Sequence, residues 1–352
     1  MEMEEMDRIL CDEQLEEVLR LLPPRSTFSP STADVSLVSK RWLRLYRSSR
    51  STLSLRLSSG NCTPQALYSF LSHFPRLSHL LITIFPDHLP SSVASSCPPE
   101  PAQLCLQPNP GLQEVELWCC GSIVNDILTR LLENCTSLNS LLISTLLIGE
   151  VGRERLLQFI THSRCNLRKL YLRLPRALGD NHLLAVAEKF SGLLSLRLES
   201  CPSVSHEGLT AMALAMSNNK LEELALIDCH MEPGLLTTLG QSFRNLRKLD
   251  LSCNDKLADE EFISMLASFN CLKELYVRGC AGLTNASVVS MFESCEQLET
   301  VDLLSCDGIE AEAVELFVLN CLRLRQIYVE ESKLSDVSRS WASKKFIEVI
   351  FR

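Results

Sequence analysis

The spelling L-x-x-L-x-L, with occasional Val or Ile in the second apolar place, returns ten times between Leu77 and Val329. The copies start at Leu77, Leu112, Leu138, Leu167, Leu193, Leu221, Leu246, Leu272, Leu298 and Leu324. Apart from one interval of 35 residues the spacing is 25 to 29. A unit this short cannot bury its own apolar face, so neighbouring copies must stack and share a continuous core. The repeats override the default expectation of two separate globular domains for a chain of 352 residues. A stack offers a long surface before it offers a pocket. That points away from catalysis and toward holding another macromolecule.

Each copy reads as strand, turn, helix and return. In L-E-T-V-D-L-L-S-C, from Leu298 to Cys306, apolar Leu298, Val301 and Leu303 set one side while Thr300, Asp302 and Leu304 alternate to the other. A period of two marks a short strand with one buried face. Eight residues after the leading leucine stands a small residue with a weak donor or an amide: Cys120, Cys201, Cys229, Asn254, Cys280 and Cys306. There the chain turns inward, and such a side chain can satisfy the backbone of the adjacent coil. Beyond it, pairs such as Leu183 and Val186, Leu209 and Met212, or Phe262 and Met265 keep helical spacing. Asp180, Ser205, Asp259 and Thr284 occupy the expected N-cap positions. Strands stack at about 4.8 Å and helices pack at roughly 8 to 10 Å. The stack is therefore expected to curve, with parallel strands inside and helices outside.

This pattern resembles the leucine-rich-repeat family, in its cysteine-containing subtype, over roughly residues 52–351. The fold class implied is α/β, a leucine-rich-repeat solenoid. Residues 52–57 read as a degenerate first strand and 346–351 as a closing one. The 35-residue interval holds seven prolines among serines, which predicts a projecting loop over 86–111. A tolerated insertion and a partner-contacting loop both remain open for it.

Residues 1–50 follow another pattern. Leu15, Val18, Leu19 and Leu22 keep the i, i+3, i+4, i+7 spacing of an amphipathic helix, with Asp12 as its cap and Pro23-Pro24 as its end. Ser31-Thr32-Ala33-Asp34 reads as a capping box opening a second helix with Val35, Val38, Trp42 and Leu45 on one stripe. By periodicity alone the two helices could simply cover the open end of the stack. Leu10-Cys11-Asp12-Glu13-Gln14-Leu15 and Ser36-Leu37-Val38-Ser39-Lys40-Arg41-Trp42-Leu43 resemble the start and end of an F-box. Cys11 stands where that family has proline, Ser39 where it has cysteine, and the segment between the helices is long. Together the two parts are similar to plant F-box proteins of the leucine-rich-repeat class. The resemblance implies a receptor subunit of a Skp–cullin–F-box ubiquitin ligase, non-catalytic and without cofactor. Residues 1–50 would dock on the Skp adaptor, and through it on cullin, while residues 51–352 hold the protein to be ubiquitinated. It also implies adaptor anchors at Leu10, Leu15, Val18, Leu37, Val38 and Trp42, a helix-in-groove contact in physical terms. Lys40, Arg41, Arg44, Arg47 and Arg50 could pair with an acidic adaptor or form a solvated helix face.

Strand alternation names the residues of the inner face. Glu223, Lys248 and Glu274 alternate in sign on adjacent strands, and Arg173 stands opposite Glu199. These read as self-satisfying ladders. Two clusters look less self-contained: Lys169, Tyr171, Arg173 and Arg197, and Tyr276, Arg278 and Tyr328 ringed by Asp250 and Asp302. Tyr and Arg are enriched at binding hot spots. With Trp118, these are the expected contacts for a protein substrate.

The net charge of −9 argues against nucleic acid as a general partner. The acidic N-terminus has no cationic region ahead of an apolar stretch, and no apolar run approaches the roughly 20 residues needed to span a bilayer. The expectation is a cytoplasmic or nuclear protein with reduced thiols among its 16 cysteines. The sequence carries no H-E-x-x-H, no paired C-x-x-C, no phosphate-binding glycine loop and no G-x-S-x-G. A scaffold or inhibitor acting without any ligase is the alternative to the receptor reading.

Overall fold

The computed structural model describes residues 11–21, 39–58, 64–85, 111–121, 123–145, 149–174, 177–218, 220–229 and 231–351. The chain divides into two compact units, 1–145 with 163–165, and 146–162 with 166–352. The expected loop over 86–111 lies outside the described residues except for Gly111.

The first unit opens with α1 (Asp12–Leu21) and α2 (Lys40–Ser49). Its repeats follow as β1 (Thr52–Ser58), α3 (Pro64–Leu71), β2 (His79–Phe85), β3 (Glu114–Trp118), α4 (Ile123–Asn134) and β4 (Ser140–Ser144). The strands pair in chain order and in parallel, Thr52 opposite His79, His79 opposite Glu114, and Glu114 opposite Ser140.

The second unit starts with α5 (Gly149–His162) and then alternates strand and helix. Its elements are β5 (Lys169–Arg173), α6 (Asp180–Lys189), β6 (Ser195–Glu199), α7 (His206–Ala215), β7 (Glu223–Ile227), α8 (Leu235–Ser242), β8 (Lys248–Asp250) and α9 (Asp259–Leu266). The series ends with β9 (Glu274–Tyr276), α10 (Asn285–Ser294), β10 (Thr300–Asp302), α11 (Ala311–Asn320), β11 (Gln326–Tyr328), α12 (Asp336–Lys344) and β12 (Glu348–Ile350). Every described pair from β5 to β12 is parallel and in register, as in Lys169 opposite Ser195 and Glu223 opposite Lys248. The closing strand starts at Glu348, not Phe346, because Phe346 takes a left-handed φ of 58° that no strand accommodates.

The alternation follows expectation in β5 and β6, whereas in β7 Ala225 and Ile227 are buried on the outward side too. In β5, Leu170 and Leu172 are buried while Lys169, Tyr171 and Arg173 face outward. The thiol row serves the backbone: Cys280 Sγ donates to Leu251 O at 3.2 Å, Cys306 Sγ to Val277 O at 3.0 Å, and Cys120 Sγ to Ile82 O at 3.5 Å. Asn254 takes the same place with more bonds. Its Nδ2 donates to the carbonyls of Leu226 (2.8 Å) and Leu251 (2.7 Å), and its Oδ1 accepts from Cys229 N at 3.0 Å. Burial pushes the Cys306 thiol up to about 11 and the Cys280 thiol up to about 12, so both stay protonated donors near neutral pH.

The helix caps differ from expectation in two of four cases. Ser205 and Thr284 do cap α7 and α10, accepting from Gly208 N and Ala286 N. Asp180 and Asp259 sit one residue inside α6 and α9, whose N-caps are Gly179 and Ala258. Their carboxylates instead reach the cap residue 25 positions on. Asp180 accepts from Ser205 N and Oγ at 2.8 and 2.7 Å, and Asp259 from Thr284 N and Oγ1 at 2.9 and 2.5 Å. Asn285 does the same for Glu310 N at 2.8 Å. An acceptor on one helix start thus satisfies the first N–H of the next, which ties neighbouring repeats together along their helix side.

Candidate functional site

Two surfaces carry the residues singled out above: the N-terminal helix pair and the outward face of the strands.

The pair has a small core of its own. Leu15, Leu19 and Leu45 are buried against one another, and Trp42 and Tyr46 pack on them. Cys11, not Asp12, holds the cap position of α1: Leu15 N donates to Cys11 O, and Gln14 Oε1 accepts from Cys11 N at 3.2 Å. Of the stripe expected to run from Val35 to Leu45, Trp42 and Leu45 lie on α2, and Val35 and Val38 lie outside the described residues. Ser39 is fully extended (φ −163°, ψ 163°) and caps α2 by accepting from Trp42 N. Leu10, Leu37, Val38 and the proposed capping box lie outside the described residues. Arg41 donates to Asp12 Oδ1 at 2.8 Å, and Arg44 lies 3.8 Å from Oδ2, so Asp12 joins the helices by charge. Glu16 then accepts from Arg76 at 3.1 Å, which ties the pair to the turn ahead of β2. Of the expected anchors, Leu15 is fully buried and serves as framework, Trp42 is half-buried, and Val18 is 46% exposed.

On the strand face the first cluster is drawn together, but its charges are not all free. Glu199 is its hub. Tyr171 Oη donates to Glu199 Oε2 at 2.5 Å, Arg197 to the same oxygen at 3.3 Å, and Arg173 Nε lies 3.5 Å from Oε1. Arg197 also donates to Asp250 Oδ2 at 3.2 Å, and its guanidinium lies 5.2 Å from the centre of the Tyr171 ring. Asp250 therefore belongs to this first network and not to the second cluster, because the Arg197 side chain spans two strands. Burial and the Glu199 contact push the Tyr171 phenol up to about 12.

In the second cluster the rings of Tyr276 and Tyr328 lie 6.5 Å apart, tilted by 48°. Arg278 donates twice to Asp302 Oδ2, at 3.1 and 2.7 Å, and Asp302 is only 4% exposed. Lys248 sits 2.9 Å from Glu274 and 5.0 Å from the centre of the Tyr276 ring. The aromatic pair is thus held in a frame of compensated charges. Trp118, in the first unit, is half-buried and donates from Nε1 to Glu116 at 3.2 Å.

A second thiol row was not anticipated. Cys135 Sγ donates to Leu112 O at 3.2 Å and Cys321 Sγ to Leu298 O at 3.5 Å, and Cys295 closes α10. These stand three residues before a leading leucine, as do Phe190, Phe243 and Phe269, so one position is filled by either residue type. Among the described residues no group of three His, Cys, Asp or Glu could hold a metal ion, and no helix is long and apolar enough to cross a membrane.

With this geometry in hand, comparison with known proteins is informative about the fold. A chain of the yeast Rad7 and Elc1 complex superposes over 99% of this chain and 94% of its own, at a TM-score of 0.50 and 14% identity. The fold is a leucine-rich repeat. In sequence, 125 residues are 28% identical to the F-box protein SKIP19 of Arabidopsis thaliana. That match spans 35% of this chain and 40% of the relative, less than half of either. No protein-family model matches. The sequence likeness is thus to part of one F-box protein, and the structural likeness concerns the fold alone.

Proposed function

We propose that this chain is the substrate-recognition subunit of a Skp–cullin–F-box ubiquitin ligase. In this reading α1 and α2 dock on the Skp adaptor, and the strand face holds the protein to be ubiquitinated. The observation that carries it is the helix pair. The described parts of the segments that resemble the two ends of an F-box, within 11–21 and 39–49, pack into a unit with its own core, anchored ahead of the repeats by Glu16 and Arg76. The partial likeness to an Arabidopsis F-box protein supports the same assignment. Val18 and the exposed part of Trp42 are the docking residues, with Leu10, Leu37 and Val38 as further anchors and Leu15 holding the pair together. Trp118 and the two tyrosine clusters face the substrate. The chain itself contributes recognition, not chemistry.

The test is retention of a Skp-type adaptor by the full chain under reducing conditions. Val18→Glu should abolish retention without shifting the thermal midpoint, since this side chain is already half in solvent. A chain that never retains the adaptor leaves the other reading, a ligase-independent scaffold whose helices cap the stack. The internal pairing of Arg41 and Arg44 with Asp12 favours that alternative, because those cations are partly spent within the pair.

A further inference from the structure

From Arg164 to Arg176 the chain carries Arg164, Arg168, Lys169, Arg173 and Arg176 with no Asp or Glu between them, in a protein of net charge −9. The structure distinguishes the cations here from those in later repeats. At the strand entrance, residues 222, 247, 273, 299 and 325 form one rung row and residues 223, 248 and 274 another. In those rows every cation meets a carboxylate: Arg247 with Glu222 (3.8 Å), Lys273 and Arg325 with Glu299 (2.7 and 3.5 Å), Lys248 with Glu274 (2.9 Å). The matching cations of β5 are Arg168 and Lys169, whose neighbours on β6 are Leu194 and Ser195. Both side chains are exposed, and neither has an ion-pair or hydrogen-bond partner among the described residues. Further along β5, Arg173 makes no hydrogen bond among the described residues and meets Glu199 only through Nε at 3.5 Å. Its side chain remains 42% exposed. Tyr171 between them is fixed, its hydroxyl held by Glu199 and its ring beneath Arg197.

We propose that β5 receives an extended acidic polypeptide segment, with Lys169 and Arg173 pairing to carboxylates on either side of a side chain seated on Tyr171. This deepens the reading that the strand face holds a protein substrate. The spacing argues for an extended chain. Same-side residues on β5 recur every ~6.6 Å, so Lys169 and Arg173 lie ~13 Å apart. An extended peptide repeats its own side chains at that same interval. Asp or Glu at positions four apart, with an aromatic or apolar residue midway, matches all three groups at once. A nucleic acid fits poorly, because its affinity comes from many phosphate contacts, whereas this face offers three loosely held cations beside Glu199 and Asp250. The Tyr276–Tyr328 pair does not share the chemistry, since Lys248 and Arg278 are already matched by Glu274 and Asp302.

The experiment uses the full chain and a fluorescent nine-residue peptide with Glu at two positions four apart and Tyr midway, followed by anisotropy. Binding should weaken as salt rises. Lys169→Glu combined with Arg173→Glu should weaken it by about tenfold or more, as expected for reversing two contact charges. Lys220→Glu with Lys256→Glu makes the same change in net charge on exposed residues elsewhere in the unit and should leave binding intact. No binding by the unmodified chain, equal loss in both double variants, or tighter binding of a single-stranded oligonucleotide of the same charge would each overturn the proposal. Adaptor retention is read on the same samples. Peptide binding lost with the adaptor retained concerns β5, whereas adaptor retention lost with peptide binding intact concerns the receptor assignment alone.

Discussion

Asn254 offers the sharpest test of the idea that one residue per repeat satisfies the backbone of its neighbours. It is 3% exposed and bonds to four backbone stations: the carbonyls of Leu226, Leu251 and Ser252 through Nδ2, and Cys229 N through Oδ1. Replacing it with alanine leaves the Leu251 carbonyl a donor in the Cys280 thiol and the Ser252 carbonyl a donor in Asp228 N. The Cys229 N–H loses its acceptor, and the Leu226 carbonyl loses its 2.8 Å side-chain donor. At about 1 to 3 kcal/mol for each buried group left unmade, Asn254→Ala should cost about 3 kcal/mol. Asn254→Cys copies what the other repeats use. A thiol can still donate to Leu226 O but cannot match the amide as acceptor for Cys229 N, so its cost should be about half. Urea unfolding followed by circular dichroism gives the difference. Stacked repeats also open locally, so amide exchange at Cys229 should quicken in both variants, as both lose that acceptor. An alanine variant within about 0.5 kcal/mol of the parent, the scatter of ordinary surface changes, would refute the reasoning. So would a cysteine variant no better than alanine.

Cys253 sits at φ 62° where the next repeat has Gly279 at φ 70°, so Cys253→Gly should stabilise by about 0.5 to 1 kcal/mol, and a thermal midpoint that does not rise would contradict this. His182 is buried, its Nδ1 accepting from Gly179 N at 3.3 Å and its Nε2 donating to Arg153 O at 3.0 Å, and burial lowers its pKa below the ordinary histidine value. The neutral ring is the folded form, so its contribution is whole above the unfolded value of about 6.5 and is lost as pH falls through the lowered folded one. Urea midpoints between pH 7.5 and 5 should fall in the parent and flatten in His182→Gln. Asp259→Ala removes acceptors from Thr284 N, Thr284 Oγ1 and Ser287 Oγ and should cost about 1 to 2 kcal/mol. Burial tends to raise the Asp259 pKa, but those donors outweigh it and hold it low. Its contribution should therefore persist above the unfolded carboxylate value and disappear in acid as pH falls through the folded one, as an acid titration of unfolding would show.

The strands were legible because a period of two with one buried face leaves few alternatives: residues 169–173 and 195–199 alternate in the structure as they do in sequence, while in 223–227 the outward positions Ala225 and Ile227 are buried as well. The helix starts were legible only to within a residue. Asp180 and Asp259 are good cap residues, and nothing local says that their carboxylates serve the following repeat, since that bond spans 25 residues. The second thiol row escaped because its position accepts Phe190 as readily as Cys295, so residue type gives no signal and only the offset from the next leucine does. The N-terminal helices are legible as amphipathic from their spacing, yet the start of α2 at Lys40 depends on one extended cap residue, Ser39, that a 3.6-residue period cannot register.

The candidate site was legible as composition but not as charge. Lys169, Tyr171, Arg173 and Arg197 sort together in sequence as one basic and aromatic spot, because alternation places all four on the same face. Adjacent strands then lie close enough for a side chain to bond one or two rungs away, and this divides the group. Arg197 is drawn off by Glu199 and Asp250, Tyr171 is pinned by Glu199, and Lys169 is left beside a serine. A ladder of charges stabilises only when each rung meets its opposite, so a cation facing a neutral rung adds little to the stack. Such a rung has no structural reason to be charged. That is why the proposed acidic segment is assigned to Lys169 and the loosely held Arg173, rather than to Arg197 or Arg278, whose charges Asp250 and Asp302 already meet.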